Sequence, residues 1–423
     1  MARIANPALL TNADFYGTLA AARSLGRYGI PVTVAHDNRL GIASWSRFVA
    51  RSCSCPPTSD SRAFLKWLLE FGSSAPGHVL YPTSDDAAFI YAAHREELSQ
   101  HFHLYQPPIE AIYALLNKRT LYAEARAVGL QVPRTWFPQT DADFAQLAQQ
   151  PGPGLVIKPV TQILFTHHRK GEVVTEPGRL KARYEAFADE PYAPELVERD
   201  PQVARPMVQE FHPGAGSAIY SLSGFITHRG QWAMRAATKV LQLPRRLGVG
   251  ICFENAPIEP ALAEGIVSLC QRIGYFGVFE AEFIREGDGR LLIDFNPRFF
   301  GQLGFDVARG LPLVALAYES ARQNTERVAR LLEAAGEWSA ANAPPPVFCH
   351  QMALNLVLSS QQASRAMPSE EARGWRSWVR DHQTVDAVFD DDDRVPAAVD
   401  FFSRISAYAR HPRSFVRTVV LNR

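Results

Sequence analysis

The chain has almost no net charge. Its 44 lysines and arginines stand against 43 aspartates and glutamates, leaving a formal charge of +1 over 423 residues. Such a balance gives no electrostatic pull toward a nucleic-acid backbone, so no nucleic-acid partner is expected. Long apolar runs are missing too: none approaches the roughly 18–20 residues that cross a bilayer. The opening Met1-Ala-Arg-Ile-Ala-Asn-Pro7 lacks the pattern of a secretory signal, and the expected compartment is the cytoplasm. Cysteine is scarce, with five in all. Cys53 and Cys55 are too close for an ordinary disulfide, and a lone Cys-x-Cys pair lacks the second pair of a zinc site. Reduced thiols are expected. There are no internal repeats, no convincing Ser/His/Asp or Cys/His arrangement, and no Gly-x-Gly-x-x-Gly dinucleotide fingerprint.

What is present suits a multi-lobed enzyme. The length corresponds to two or three units, and an apolar fraction of 47% is enough for substantial cores. The start reads as an α/β unit. A short strand at Ala8–Thr11 opens into the loop Asn12–Gly17, a helix follows from Thr18 to Tyr28, and a second strand runs over Ile30–Ala35. This βαβ order implies a parallel sheet. Another strand, Val79–Pro82, leads through Thr83-Ser84-Asp85-Asp86 into a well-capped helix. Loops at the carboxyl ends of parallel strands are where ligands tend to sit, which makes Asp14, Tyr16, Gly17, Ser84 and Asp85 candidate substrate contacts. Capping and turn chemistry is the competing reading for each.

The densest chemistry lies near residue 280. Gly277-Val-Phe-Glu280-Ala-Glu282-Phe-Ile284 and Leu291-Leu-Ile-Asp294-Phe-Asn296-Pro-Arg298 flank a Gly/Asp turn and read as a β-hairpin. Side chains two apart on a strand share a face. Asp294, Asn296 and Arg298 therefore project together, and Glu282 can face them from the partner strand. Two carboxylates and a carboxamide oxygen make a hard-oxygen set suited to Mg²⁺, with Mn²⁺ as an alternative, and an arginine beside it suits developing phosphoryl charge.

These residues resemble the C-terminal signature of the ATP-grasp superfamily, an acid-bearing strand followed by Glu/Asp-x-Asn-Pro-Arg. Four more segments, in order, are similar to parts of the same family. Asn117-Lys118-Arg119 precedes a helix and the connector Val128-Gly-Leu-Gln-Val-Pro133, and Lys118 corresponds to a first ATP lysine. Leu155-Val-Ile-Lys158-Pro159 matches the strand carrying a second. Met207-Val-Gln209-Glu210-Phe-His212-Pro-Gly214 resembles the hinge that holds adenine, with the backbone at Glu210 and His212 weighing more than the side chains. Gly301–Leu313 resembles the helix after the metal strand. The resemblance covers roughly residues 115–320.

It implies an N-terminal parallel-sheet domain (residues 1–114) and a two-lobed ATP-grasp core of antiparallel sheets and helices (115–322, with lobes 115–206 and 207–322). A C-terminal extension of helices and short strands (323–423) follows. The implied activity is an ATP-dependent, ADP-forming carboxylate–amine ligase. ATP and Mg²⁺ are its cofactors, and a small carboxylate and an amine its substrates. Glu282, Asp294 and Asn296 would hold metal, and Lys118, Lys158, Gln209, Glu210 and His212 nucleotide. Arg298 and Lys239 would be catalytic, with Arg246 a further substrate contact. A homodimer is compatible with this. A kinase, a carboxylase component or a non-catalytic nucleotide-binding protein are the alternatives.

Two departures stand out. A glycine-rich phosphate loop is replaced by Pro159–Gly171, where Thr166, His167, His168 and Lys170 are candidate covers, and no carboxylate follows Gly214 to take the ribose. In the extension, Gln323–Gly336 reads as a helix, Ala340–Pro346 as a linker and Phe348–Leu358 as a strand. The basic, aromatic-rich end from Phe401 to Arg423 could lie on an anionic membrane or dock on its own protein, with Pro412 interrupting one long helix. Docking is the favoured expectation.

Overall fold

The computed structural model describes residues 6–165, 171–189, 191–217, 219–244, 248–287, 289–337 and 345–420. Thr166, His167, His168 and Lys170, as well as Arg245 and Arg246, lie outside the described residues.

The first sheet contains β1 (Ala8–Leu10), β2 (Val32–His36), β3 (Arg51–Ser54), β4 (His78–Tyr81) and β5 (Phe102–His103). The order is β3-β2-β1-β4-β5 and every pair is parallel. Parallel strands are covered on both faces. The apolar run of β1 is accordingly shared: Leu9 joins one core with Phe64, Leu68 and Leu80, while Ala8 and Leu10 join the other with Leu19, Ala22 and Leu25. That second core also holds Phe299, Phe300, Leu303 and Leu316, so the first sheet is packed directly on the segment that follows the predicted hairpin. Helix Asp85–Ala93 starts where Ser84 accepts a hydrogen bond from the Ala87 N–H at 3.1 Å. Helix Lys118–Ala127 starts where Asn117 accepts from the Arg119 N–H at 3.0 Å.

A four-stranded antiparallel sheet comprises β6 (Thr135–Trp136), β7 (Leu155–Lys158), β8 (Glu172–Val174) and β9 (Met207–Glu210) in the order β6-β9-β7-β8. Since β9 is hydrogen-bonded between β6 and β7, the passage to the next sheet falls after Glu210 rather than before Met207. The third sheet has seven strands. It is built from β10 (Ile219–Ile226), β11 (Trp232–Leu243), β12 (Val249–Ala256), β13 (Gly277–Glu286), β14 (Gly289–Asn296), β15 (Val347–Cys349) and β16 (Thr384–Asp386). The order is β14-β13-β10-β11-β12-β15-β16, antiparallel except for the last pair. The C-terminal extension thus supplies two strands of the large sheet.

One expected element is corrected. The apolar run Phe348–Leu358 is a strand only over Val347–Cys349 and then becomes helix Gln351–Ala363. His350 caps it, accepting from the Ala353 N–H at 3.4 Å. The buried set Ala353, Leu354, Val357, Leu358 and Gln361 has helical spacing. Helix Val395–Arg410 ends at His411, before Pro412, and rests on the turn Ile42–Trp45.

Gly17 is a point of close approach between sequence-distant parts. A Cβ there would lie 2.5 Å from the Phe300 carbonyl oxygen and 2.8 Å from the Phe15 ring. A backbone carbonyl cannot swing aside as a side chain can. Gly17→Ala is expected to lower stability by about 1–3 kcal/mol, the range for overpacking, as a shift of the denaturation midpoint; an unshifted midpoint would show that the approach is looser than this.

Candidate functional site

The β13–β14 ladder sets opposite one another Glu282 with Asp294, and Glu280 with Asn296. All four therefore lie on one face. Between Glu282 and Phe283 the register slips by one residue, leaving Ile293 as the extra residue of a bulge. The Ile293 carbonyl then accepts from Lys118 Nζ at 3.1 Å and from the Tyr122 hydroxyl at 3.0 Å. Lys118 also reaches Asp294 Oδ1 at 2.6 Å. Burial opposes the Lys118 charge, but Asp294 outweighs it and holds the ammonium above its ordinary range. For Asp294 the same contact outweighs burial in the other sense and keeps the carboxyl below its ordinary value. Asp294 keeps 44% of its side-chain surface open, so this pair is reached by solvent on one side.

Lys239 crosses from β11 to Glu282 Oε1 at 2.6 Å. Burial weighs against its charge and Glu282 outweighs that, so its pKa is raised. Glu280 is the most enclosed carboxyl. One oxygen accepts from the Ser221 hydroxyl at 2.7 Å and from Gln302, and the other from the Asn296 amide at 3.1 Å. Burial, with the neighbouring Glu282 charge, pushes its pKa up to about 7. Sequence reasoning missed Glu280 as a site residue. The period-two rule that groups Asp294 with Asn296 places it beside Glu282 equally well.

Arg298 leaves the end of β14 and bridges two parts of the molecule. Its Nε donates to Asp85 at 2.5 Å and one terminal nitrogen donates to Asn296 Oδ1 at 2.9 Å. Burial acts against the guanidinium, and Asp85 more than compensates. Asp85, the first residue of helix Asp85–Ala93, is thus brought to the hairpin face.

Lys158 ends β7 and donates to the Gln209 Oε1 of β9 at 2.9 Å. The Gln209 amide nitrogen in turn donates to Thr135 at 3.0 Å and to the Tyr122 hydroxyl at 3.3 Å. Burial disfavours the Lys158 ammonium and nearby Lys118 adds to the effect; Asp294 offsets part of it, and the pKa is lowered to about 8. Lys158 is thus held by a neutral carboxamide beside a second lysine, with no carboxylate hydrogen-bonded to it.

Other expected residues are placed elsewhere. Ser84 is spent on its cap. Gly17 is buried in the Phe300 contact. The Tyr16 hydroxyl meets His350 Nε2 at 2.9 Å and accepts from Arg404, which is itself bound to Asp400. Asp14 is an exposed neighbour of that cluster and accepts from Asn38 at 3.4 Å. Glu210 is turned toward Arg134, which donates to it through its side chain at 2.7 Å and its backbone at 2.9 Å, while the Glu210 N–H is taken by the Arg134 carbonyl. His212 Nε2 lies 3.1 Å from the same carboxylate. Among the described residues, Glu210, His212 and Glu286 form the group of three potential ligands within 4.8 Å of one another. On the hairpin, Glu282 and Asp294 are each paired with a lysine, and Glu280 is held by neutral donors. A cavity of about 580 Å³ lies away from the hairpin, between helix Tyr16–Arg27 and Thr384–Asp391.

No family model matches the chain, and no curated protein matches it in sequence. Solved structures do share its fold. One is the biotin carboxylase domain dimer of 2-oxoglutarate carboxylase from Hydrogenobacter thermophilus, determined with magnesium ADP, ADP and bicarbonate (TM-score 0.58, 12% identity, covering 76% of this chain and 70% of that one). Another is L-amino acid ligase from Bacillus licheniformis (TM-score 0.53, 15% identity, 75% of each chain). A third is N5-carboxyaminoimidazole synthetase from Staphylococcus aureus (TM-score 0.55, 12% identity, 75% of this chain and 78% of that one). The chain therefore has the ATP-grasp fold that its motifs resemble.

The low Lys158 pKa has a measurable sign. Its folded value of about 8 lies below the ordinary 10.5, so the unfolded chain holds more protons between those values and stability rises with pH across that window. A bound polyanion reverses the shift. Tripolyphosphate binding at pH 8 is expected to take up about half a proton at this group, measured by titration calorimetry in buffers of different ionisation enthalpy. Uptake should vanish in Lys158→Met; undiminished uptake there would assign the proton to another group.

Proposed function

We propose that the protein is an ATP-dependent, ADP-forming ligase that joins a small carboxylate to an amine. The observation that carries this reading is the gathering of Glu280, Glu282, Asp294 and Asn296 on one sheet face, met by Lys118 and Lys239 from two other segments and by Arg298 from the exit of β14. Carboxylates and a carboxamide oxygen fit magnesium. Glu282, Asp294 and Asn296 would hold it, and it would supply charge neutralisation at phosphate oxygens. Lys118 and Lys239 pair with Asp294 and Glu282 of the same set.

Lys118 and Lys158 would then hold the nucleotide phosphates, with Gln209 orienting Lys158. The Glu210 carbonyl and the His212 N–H are the hinge groups assigned to adenine, since the Glu210 N–H is already bonded within the sheet. A substrate carboxylate oxygen attacks the γ-phosphorus and the bond to ADP breaks. The amine nitrogen then attacks the acyl carbon of the acyl phosphate, and phosphate leaves as the C–O bond breaks. Arg298, held in place by Asp85, stabilises charge in both steps. The division into an N-terminal domain, a two-lobed core and a C-terminal extension belongs to the same reading, as does a cytoplasmic location. Among the described residues no helix is long and apolar enough to cross a membrane.

The test is release of ADP and phosphate in a screen over amino acids and small carboxylates, singly and in pairs. Equal ADP and phosphate, dependent on both an acid and an amine, is the expected result. ADP without phosphate would mean a kinase, and bicarbonate-dependent release a carboxylase component. In the active pair, Asp294→Asn should abolish turnover while the protein melts cooperatively, because it removes a charge at constant volume. Wild-type-like rates would remove Asp294 from the metal set.

Arg298→Lys keeps the charge but loses the planar fork that spans Asp85 and Asn296. It should bind Mg-ATP within a few-fold of wild type and turn over at least about tenfold more slowly, about 1.4 kcal/mol of barrier. Lost ATP affinity with an unchanged kcat would instead make Arg298 a ground-state phosphate clamp.

A further inference from the structure

Cys252 on β12 and Cys349 on β15 stand directly opposite one another in an antiparallel register. In the next pair along, the His350 N–H donates to the Ile251 carbonyl at 2.8 Å. Hydrogen-bonded and non-hydrogen-bonded pairs alternate along such a ladder. The two cysteines are therefore a non-hydrogen-bonded pair, the kind whose backbones come closest, to about 4.5 Å between Cα atoms. Their sulfurs lie 3.5 Å apart. A disulfide needs Cα atoms roughly 4.4–6.8 Å apart and sulfurs at about 2.05 Å. The backbone is already placed for one, and turning the two side chains closes the gap. The other three cysteines are elsewhere: Cys53 and Cys55 at the end of β3, and Cys270 in helix Pro260–Ile273.

Both thiols are fully buried, in the small core that joins β12 to helix Gln351–Ala363. Contact with Cys349, and then burial, raises the Cys252 pKa, and the thiolate rather than the thiol is the attacking form. Reaction therefore requires β15 to part from β12 long enough to admit an oxidant. The two residues are 97 apart in sequence. A bond between them closes a long loop, and long loops lose the most unfolded-state freedom on closure.

We infer that Cys252 and Cys349 are a disulfide site, at which a low-molecular-weight disulfide such as oxidised glutathione converts the thiol pair into a bond that locks β15, and with it the C-terminal extension, onto β12. One cysteine thiolate attacks a sulfur of the oxidant, whose S–S bond breaks and releases one thiol. The second cysteine then attacks the protein sulfur of this mixed disulfide, forming the Cys252–Cys349 bond and releasing the other thiol. The cysteines give up two electrons and two protons, and the oxidant takes up both. The inference stands apart from the ligase reading, since neither cysteine is assigned to that site.

The full chain is incubated with oxidised glutathione, with and without urea below the unfolding midpoint to let β15 open, and its free thiols are then alkylated in denaturant. Three labelled cysteines rather than all five are expected, with a proteolytic fragment pair joined through Cys252 and Cys349. Five labels under both conditions, or a bond mapped to Cys53 and Cys55, overturns the inference. Once the urea is removed, the oxidised chain should melt at least about 3 °C above the reduced one and return on treatment with dithiothreitol. Cys349→Ala should show no such redox-dependent shift, and Cys252→Ala serves equally if that variant does not fold. A bond that forms without raising the melting temperature overturns the locking of the extension.

Discussion

Carboxylates crowded on one face of a partly buried sheet must be neutralised, and the architecture around the hairpin is arranged to meet that demand. Glu280, Glu282 and Asp294 occupy two adjacent strands. Their counter-charges arrive from a helix start 176 residues away (Lys118), from another strand of the sheet (Lys239) and from the strand's own exit (Arg298). Removing one partner from such a set leaves a charge without compensation, which costs more than the pair contributes. The same pairs therefore link the helix Lys118–Ala127, the seven-stranded sheet and the first sheet's Asp85 into one unit. Away from the cleft a second charged set does comparable work: fully buried Arg309 is bound to Asp306 and to the Ala236 carbonyl at 2.6 Å, holding helix Leu303–Ala308 on the sheet.

Two groups in the cleft are pushed toward neutrality from opposite directions. Lys158 loses affinity for its proton and Glu280 gains it. Such opposed shifts concentrate where a protein leaves room for charge brought by a ligand. The two belong to different sheets, Lys158 to the four-stranded and Glu280 to the seven-stranded one.

Much of this arrangement was legible because it is local. Period-two alternation groups Asp294 with Asn296, and the polar run Thr83-Ser84-Asp85-Asp86 before a helical pattern marks a capped helix start. What the sequence hid was long-range or ambiguous. Nothing near Gly17 announces that Phe300 will press on it; the glycine reads as a loop residue for want of its distant neighbour. Tyr16 reads as a ligand contact until His350 and Arg404, more than 300 residues on, are seen to meet it. The apolar run after Phe348 is short enough to suit either a strand or a helix, and the His350 cap decides it. Glu280 was hidden differently: its spacing was visible, but the family pattern draws attention to a single acid on that strand.

The late arrival of β15 and β16 has a consequence for how the protein is made. During synthesis β12 is complete by residue 256, yet its outer neighbour begins at Val347 and the strand beyond that at Thr384. Until those residues leave the ribosome, the apolar edge of β12, with Cys252 and Phe253, has no strand to pair with, and an unpaired apolar edge invites association with other nascent chains. The extension therefore acts as the seal of the large sheet, and a translation product stopped short of residue 386 would be expected to accumulate as aggregate rather than as a smaller folded protein.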